Sequence, residues 1–316
     1  MLHIRMMIPA HRTAEVVRLA ERTVGTAHLA VLAGAARSPE GDVVLCDVAR
    51  EAADGLLQEL RSIGIPECGA IAVEEIELTL SRRADRAERE APGEGADAVL
   101  WEHLEEATHE ESTLSVTYLV FLTVATMIAA CGVVLDNAIL IVGAMAVGPE
   151  FGPLAGICTA LVQRAPRLAW RSLIALVAGF AAALVLTTGF SLFMDAVGLF
   201  HQSQVEGARP NTAFIWQPDL FSFVVAFLAG VAGVLSLTSA KSGALVGVAI
   251  SVTTVPAAAN AAVALGYGDF SQMRGSVQQL LLNLAGIVLA GTLTLLAQKF
   301  FWARQRKHEA ARGPRG

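Results

Sequence analysis

The stretch Asn137-Ala-Ile-Leu-Ile-Val-Gly-Ala-Met-Ala-Val-Gly-Pro149-Glu150-Phe-Gly-Pro153-Leu-Ala-Gly-Ile157 is long and apolar enough to cross a bilayer, yet prolines interrupt it near its middle. A second stretch repeats the pattern: Lys241-Ser-Gly-Ala-Leu-Val-Gly-Val-Ala-Ile-Ser-Val-Thr-Thr-Val-Pro256-Ala-Ala-Ala-Asn260. Proline removes a backbone donor and clashes with the preceding turn. In lipid, backbone groups freed this way need partners from neighbouring helices, side chains or water. Two matched broken segments in two halves of a chain point to a transport site.

The charge distribution supports a membrane protein. Mean hydropathy is +0.55, and 54% of the residues are hydrophobic. Between Leu114 and Gln298 only twelve residues are charged, most of them lying between apolar runs. Residues 1–113 carry 11 Arg and no Lys against 22 Asp and Glu. An acidic region of this kind lacks the basic footprint that phosphate contacts need, which argues against a nucleic-acid partner. The four cysteines, Cys46, Cys68, Cys131 and Cys158, form no Cys-x-x-Cys pair and read as reduced, small hydrophobes. Met1-Leu-His-Ile-Arg5 leads into an alternating segment rather than a signal peptide.

Residues 1–80 read as a small cytosolic α+β domain. Strands are expected at Leu2–Ile8, Ala27–Ala35, Asp42–Val48 and Gly69–Leu80, and helices at His11–Val24 and Glu51–Ile63. The order β-α-β-β-α-β is the ferredoxin-like arrangement. Residues 81–113 form a charged helical linker, broken at Pro92-Gly-Glu-Gly95. His103 and His109 are six apart and do not share a helical face, so no metal site is expected there, and no cofactor motif is present.

The transmembrane domain, 114–300, resolves into six spans: about 114–135, 137–163, 169–197, 220–239, 242–266 and 275–300. Arg164, Arg167, Arg171, Lys241 and the basic cytosolic tail 301–316 fall on one side of this arrangement. The positive-inside rule then places both termini in the cytoplasm, as expected for a multi-pass inner (plasma) membrane protein. A shift of 103 residues places Pro153 over Pro256, Ala144 over Gly247 and Ile128 over Val231. A shift of 107 places Arg167 over Arg274 and Ala178-Gly179 over Ala285-Gly286. Three spans per repeat makes this a 3+3 inverted repeat with broken second and fifth helices.

The run Gly143-Ala-Met145, followed by Pro149 and Gly152-Pro153, resembles the hallmark of the domain of unknown function 389 family (DUF389), uncharacterised prokaryotic hydrophobic membrane proteins. Leu245–Asn260 and Leu281–Gly291 fit the same resemblance, which covers about 114–300. It implies a fold and no substrate. The chain departs from the family pattern at Glu150, where an apolar residue is usual, and at Ala257, where a second proline is common.

Glu150 is the sharpest candidate for function. An ionisable group within a span is costly unless paired or hydrated, and marks a path for protons or ions by default. The competing reading has Glu150 snorkelling to water or pairing with a loop arginine. Pro149, Gly152, Pro153 and Pro256 shape the breaks. Asn137, Asn260 and Asn283 can supply neutral ligands or bind helix to helix. Thr253 and Thr254 precede the second break and can line a polar path or bond back to their own helix. No catalytic residue set appears, and an enzyme is not expected. The expected function is a transporter or channel for a small ion or polar solute, embedded in the lipid bilayer and assembled as a homo-oligomer. The alternative is a non-transporting membrane sensor or scaffold whose cytosolic domain binds a ligand.

Overall fold

A computed structural model describes residues 1–91, 101–207, 209–238 and 254–310. The chain divides into two units: residues 1–103 with 238–241 and 300–316, and residues 104–237 with 242–299.

The first unit is built on alternation. Strand β1 (Leu2–Ile8) buries Leu2, Ile4, Met6 and Ile8 and turns the residues between them to the other face. Helix α1 (Thr13–Arg22) follows, then β2 (Thr26–Arg37), β3 (Glu40–Val48), helix α2 (Arg50–Ser62), the short α3 (Ile65–Cys68) and β4 (Ala70–Glu75). The sheet is antiparallel in the order β2-β3-β1-β4. Val44, Cys46 and Val48 of β3 join the even positions of β1 against Val16 and Leu19 of α1 and Leu56, Leu57 and Leu60 of α2. Each such aliphatic side chain contributes about 1.5–3 kcal/mol on leaving water. The sequence predicts a last strand running on to Leu80, but β4 ends at Glu75, where its partner β1 runs out at Leu2. Leu78 and Leu80 beyond it are strongly exposed. Helix α4 (Arg82–Glu90) is capped by Ser81, whose hydroxyl accepts from the Arg83 and Ala84 amides. The same hydroxyl bonds His28, which bonds Asp47 on the face away from the core.

The second unit is helical. After α5 (Trp101–Glu111) come α6 (Val116–Val134), α7 (Ala138–Val147), α8 (Phe151–Gln163), α9 (Pro166–Ala196), α10 (Gln202–Glu206), α11 (Leu220–Thr238), α12 (Thr254–Gly266) and α13 (Phe270–Ala310). Among the described residues, α6, α9, α11 and residues 270–301 of α13 are each long and apolar enough to cross a membrane. The pair α7 and α8 passes the same test together, bent by 56° at the break. Residues 239–253, which hold the first part of the expected fifth span and Thr253, lie outside the described residues.

Local chemistry explains the helix ends. Ser115 and Asn137 cap α6 and α7 through side-chain oxygens. Pro166 opens α9, where a missing amide costs nothing. Pro153 is the third residue of α8, which Glu150 precedes as its N-cap. Amides in a first turn have no partner within the helix, so Pro153 starts a helix rather than breaking one. Pro149, by contrast, sits in the gap between α7 and α8. Pro256 lies on α12, and the residues just before Thr254 lie outside the described residues. Helix α12 packs against α6, α7 and α9. Close contacts are bought by small residues: a Cβ at Gly132 would come within 2.8 Å of Ile141, and one at Gly179 within 2.6 Å of Tyr118.

Candidate functional site

The bend between α7 and α8 places Glu150 at the first position before α8, only 1% exposed. A carboxylate at a helix N-terminus faces the positive end of the macrodipole. Its Oε1 accepts a 2.8 Å hydrogen bond from Thr254 Oγ1, and Thr254 belongs to α12. The two proline-bearing segments, 104 residues apart in sequence, therefore meet through these two side chains. The Tyr118 phenol is within electrostatic reach of Glu150 and is buried.

The other residues singled out from the sequence are distributed around this pair. Pro149 is half-buried in the break, Pro153 is buried in the first turn of α8, and Pro256 is buried on α12. Gly152 makes room for the chain at Glu111: a Cβ there would lie 2.5 Å from the Glu111 Cβ. Burial, and then the neighbouring Glu110, push the Glu111 carboxyl above its ordinary value. Asn283 is fully buried on α13. Asn137 lies at the other end of α7, where its Oδ1 accepts from the amides of Ile139 and Leu140, so it holds a helix end and is not brought to Glu150. Thr253 lies outside the described residues.

Asn260 leads to a cluster that the sequence reading did not find. Its Oδ1 accepts from Arg209 Nη1 at 3.0 Å, and its Nδ2 donates to Ser276 Oγ at 2.7 Å. Arg209 Nη2 donates to Gln272 Oε1 at 2.5 Å. Arg209 is 6% exposed although it belongs to the connection between α9 and α11. Burial pulls its pKa below the ordinary value, and Asp136 and Asp269 act in the opposite direction. Both carboxylates are engaged elsewhere: Asp136 accepts from Asn211 and Thr212, and Asp269 from the amides of Ser271 and Gln272. On α13 the residues Gln272, Ser276, Gln279 and Asn283 recur at the spacing of one helix face. Gln279 is 1% exposed, and neither atom of its amide has a partner among the described residues. This stripe was legible as a pattern of polar residues at intervals of four, three and four inside an apolar run.

Among the described residues no group of three or more His, Cys, Asp or Glu side chains has the geometry for a metal ion.

Residues 145–289, which contain the bend, the Glu150–Thr254 contact and the Arg209 cluster, match the family model described as Domain of unknown function (DUF389). The resemblance to DUF389 holds. The chain is also similar to Uncharacterized protein MJ0678 of Methanocaldococcus jannaschii, 25% identical over 225 residues, which is 71% of this chain and 68% of that protein. No solved structure matches the chain. Glu150, Thr254, Asn260, Arg209 and Gln279 all lie within the part that DUF389 covers.

Proposed function

We propose that this DUF389 chain is a transporter or channel for a small ion or polar solute, with its site at the meeting of α8 and α12. The observation that carries the reading is the buried hydrogen bond from Thr254 to Glu150. A membrane anchor has no need of a bent helix pair or of a carboxylate held inside it. At about 1.5 Å per residue, the 13 residues of α8 run about 20 Å, so its start lies well inside a hydrocarbon layer of about 30 Å. A charged carboxylate at that depth costs about 3 kcal/mol or more, which function rather than packing justifies. Glu150 serves as the group that takes up a proton or holds a cation.

An inverted repeat supports the same reading. Pro153 of α8 and Pro256 of α12 are the prolines that the 103-residue shift superimposes. Gly179 of α9 packs on Tyr118 and Leu122 of α6, and Gly286 of α13 packs on Phe223 and Ala226 of α11. These are the glycines that the 107-residue shift superimposes. We read the first unit as a ferredoxin-like domain, on the strength of its β-α-β-β-α-β order and strand arrangement, which gates or assembles a homo-oligomer. Arginine and lysine in the short connections support cytoplasmic termini and an inner-membrane location.

The test is solvent access. Single cysteines replace Glu150 and Thr254 in a chain whose native cysteines are removed, and a charged, membrane-impermeant thiol reagent is applied to vesicles. Labelling at either position supports a water-lined path. Protection of both, with a loop cysteine labelled in the same vesicles, contradicts it.

A further inference from the structure

We propose that Arg209, Asn260, Ser276 and Gln279 form a binding site for a small planar oxyanion of the carboxylate kind, distinct from the Glu150–Thr254 pair. A guanidinium has five N–H donors in a planar fork suited to such an anion. Two of the Arg209 nitrogens donate to neutral amides, Asn260 and Gln272. Among the described residues no carboxylate forms an ion pair with it, because Asp136 and Asp269 are turned to hydrogen bonds of their own. Asp136 and Asp269 act on Arg209 from a distance without outweighing its burial, so a desolvation cost remains that a bound counter-ion offsets.

Gln279 is the independent observation. It is 1% exposed with both amide atoms lacking partners among the described residues. A buried polar group in that state is costly. It lies one turn beyond Ser276 on the same face of α13, and side chains on a helix lean toward its N-terminus. Gln279 therefore leans toward Ser276, which bonds Asn260, which bonds Arg209. An oxyanion between Arg209 and Gln279 accepts from the guanidinium on one edge and from the Gln279 amide on the other. The site goes beyond the transport reading and is read out by binding alone.

The experiment uses the full chain in detergent, with sodium formate as probe and sodium chloride at equal ionic strength as reference. Thermal unfolding is followed for the wild type, Gln279→Leu and Arg209→Lys. Formate is expected to raise Tm saturably beyond chloride. Gln279→Leu, which keeps the charge, is expected to weaken the apparent affinity about tenfold, as loss of one hydrogen bond to an anion does. Arg209→Lys replaces the fork by a point charge and is expected to weaken it further. A formate shift that chloride matches in the wild type, or one that is unchanged in Gln279→Leu, overturns the proposal. Saturable formate binding in a chain that shows no flux leaves this site standing and removes the transport reading alone.

Discussion

At the residue scale the contact that matters most is the one between Thr254 and Glu150. Removing its donor leaves a buried carboxylate oxygen without that hydrogen bond, which costs about 1–3 kcal/mol. Thr254→Val is therefore expected to lower the unfolding free energy of the detergent-solubilised chain by that amount, while Thr254→Ser keeps most of it. Equal stability of the two variants would contradict the contact. A second prediction concerns Cys46, whose thiol is pushed up to about 11, first by burial and then by the adjacent Asp47. The folded value lies above the ordinary one, so the thiol favours folding below the ordinary value and that contribution is lost as pH rises through about 9 to about 11. In the native chain at pH 8, a maleimide is expected to modify the partly exposed Cys68 and spare Cys46. Modification of both at equal rates would show that the core around β1 and β3 opens readily.

At the element scale, the packing of α11 on α13 depends on Gly230, where a Cβ would lie 2.7 Å from the Ile287 carbonyl oxygen. Backbone cannot yield as a side chain does, so Gly230→Ala is expected to destabilise by about 1–3 kcal/mol. Gly143 on α7 has nothing within 4 Å of its Cβ position, and Gly143→Ala is expected to leave stability equal or higher. Thermal unfolding in detergent separates the two. Much of the element structure was legible from local signals. Alternation gave β1 its bounds, and long apolar runs gave α6, α9 and α11. The role of each proline was less legible: a proline in an apolar run reads as a break, but Pro153 begins a helix and Pro149 lies in the gap before it. The end of β4 was hidden because it depends on the length of its partner strand. Arg209 was hidden for the same kind of reason. A lone arginine in a connecting segment looks solvated, and only the fold brings Asn260 and Gln272 to it. Glu150 stood out as a single carboxylate inside an apolar run, but whether it snorkels to water was left open by the sequence, and the fold buries it at 1% exposure.

At the scale of the whole molecule, the contacts of the helical unit separate two ends. Lys299 donates to the Val162 carbonyl, and Arg171 bonds Thr113 and His109. Asp136 holds Asn211 and Thr212, while Tyr267 donates to Asp195. Cysteines introduced at Arg167 and Asn211 are therefore expected to label from opposite sides of the membrane, with position 167 on the side of the termini. Labelling of both from one side would contradict the six-span reading. The central claim is that Glu150 lies in a path through the membrane, and ion and solute flux into proteoliposomes tests it most directly. Wild type and Glu150→Gln would be compared across a range of pH. The account predicts a pH-dependent flux in the wild type that Glu150→Gln abolishes or renders insensitive to pH. A flux with the same pH dependence in both, or none for any species tested in the wild type, would contradict it.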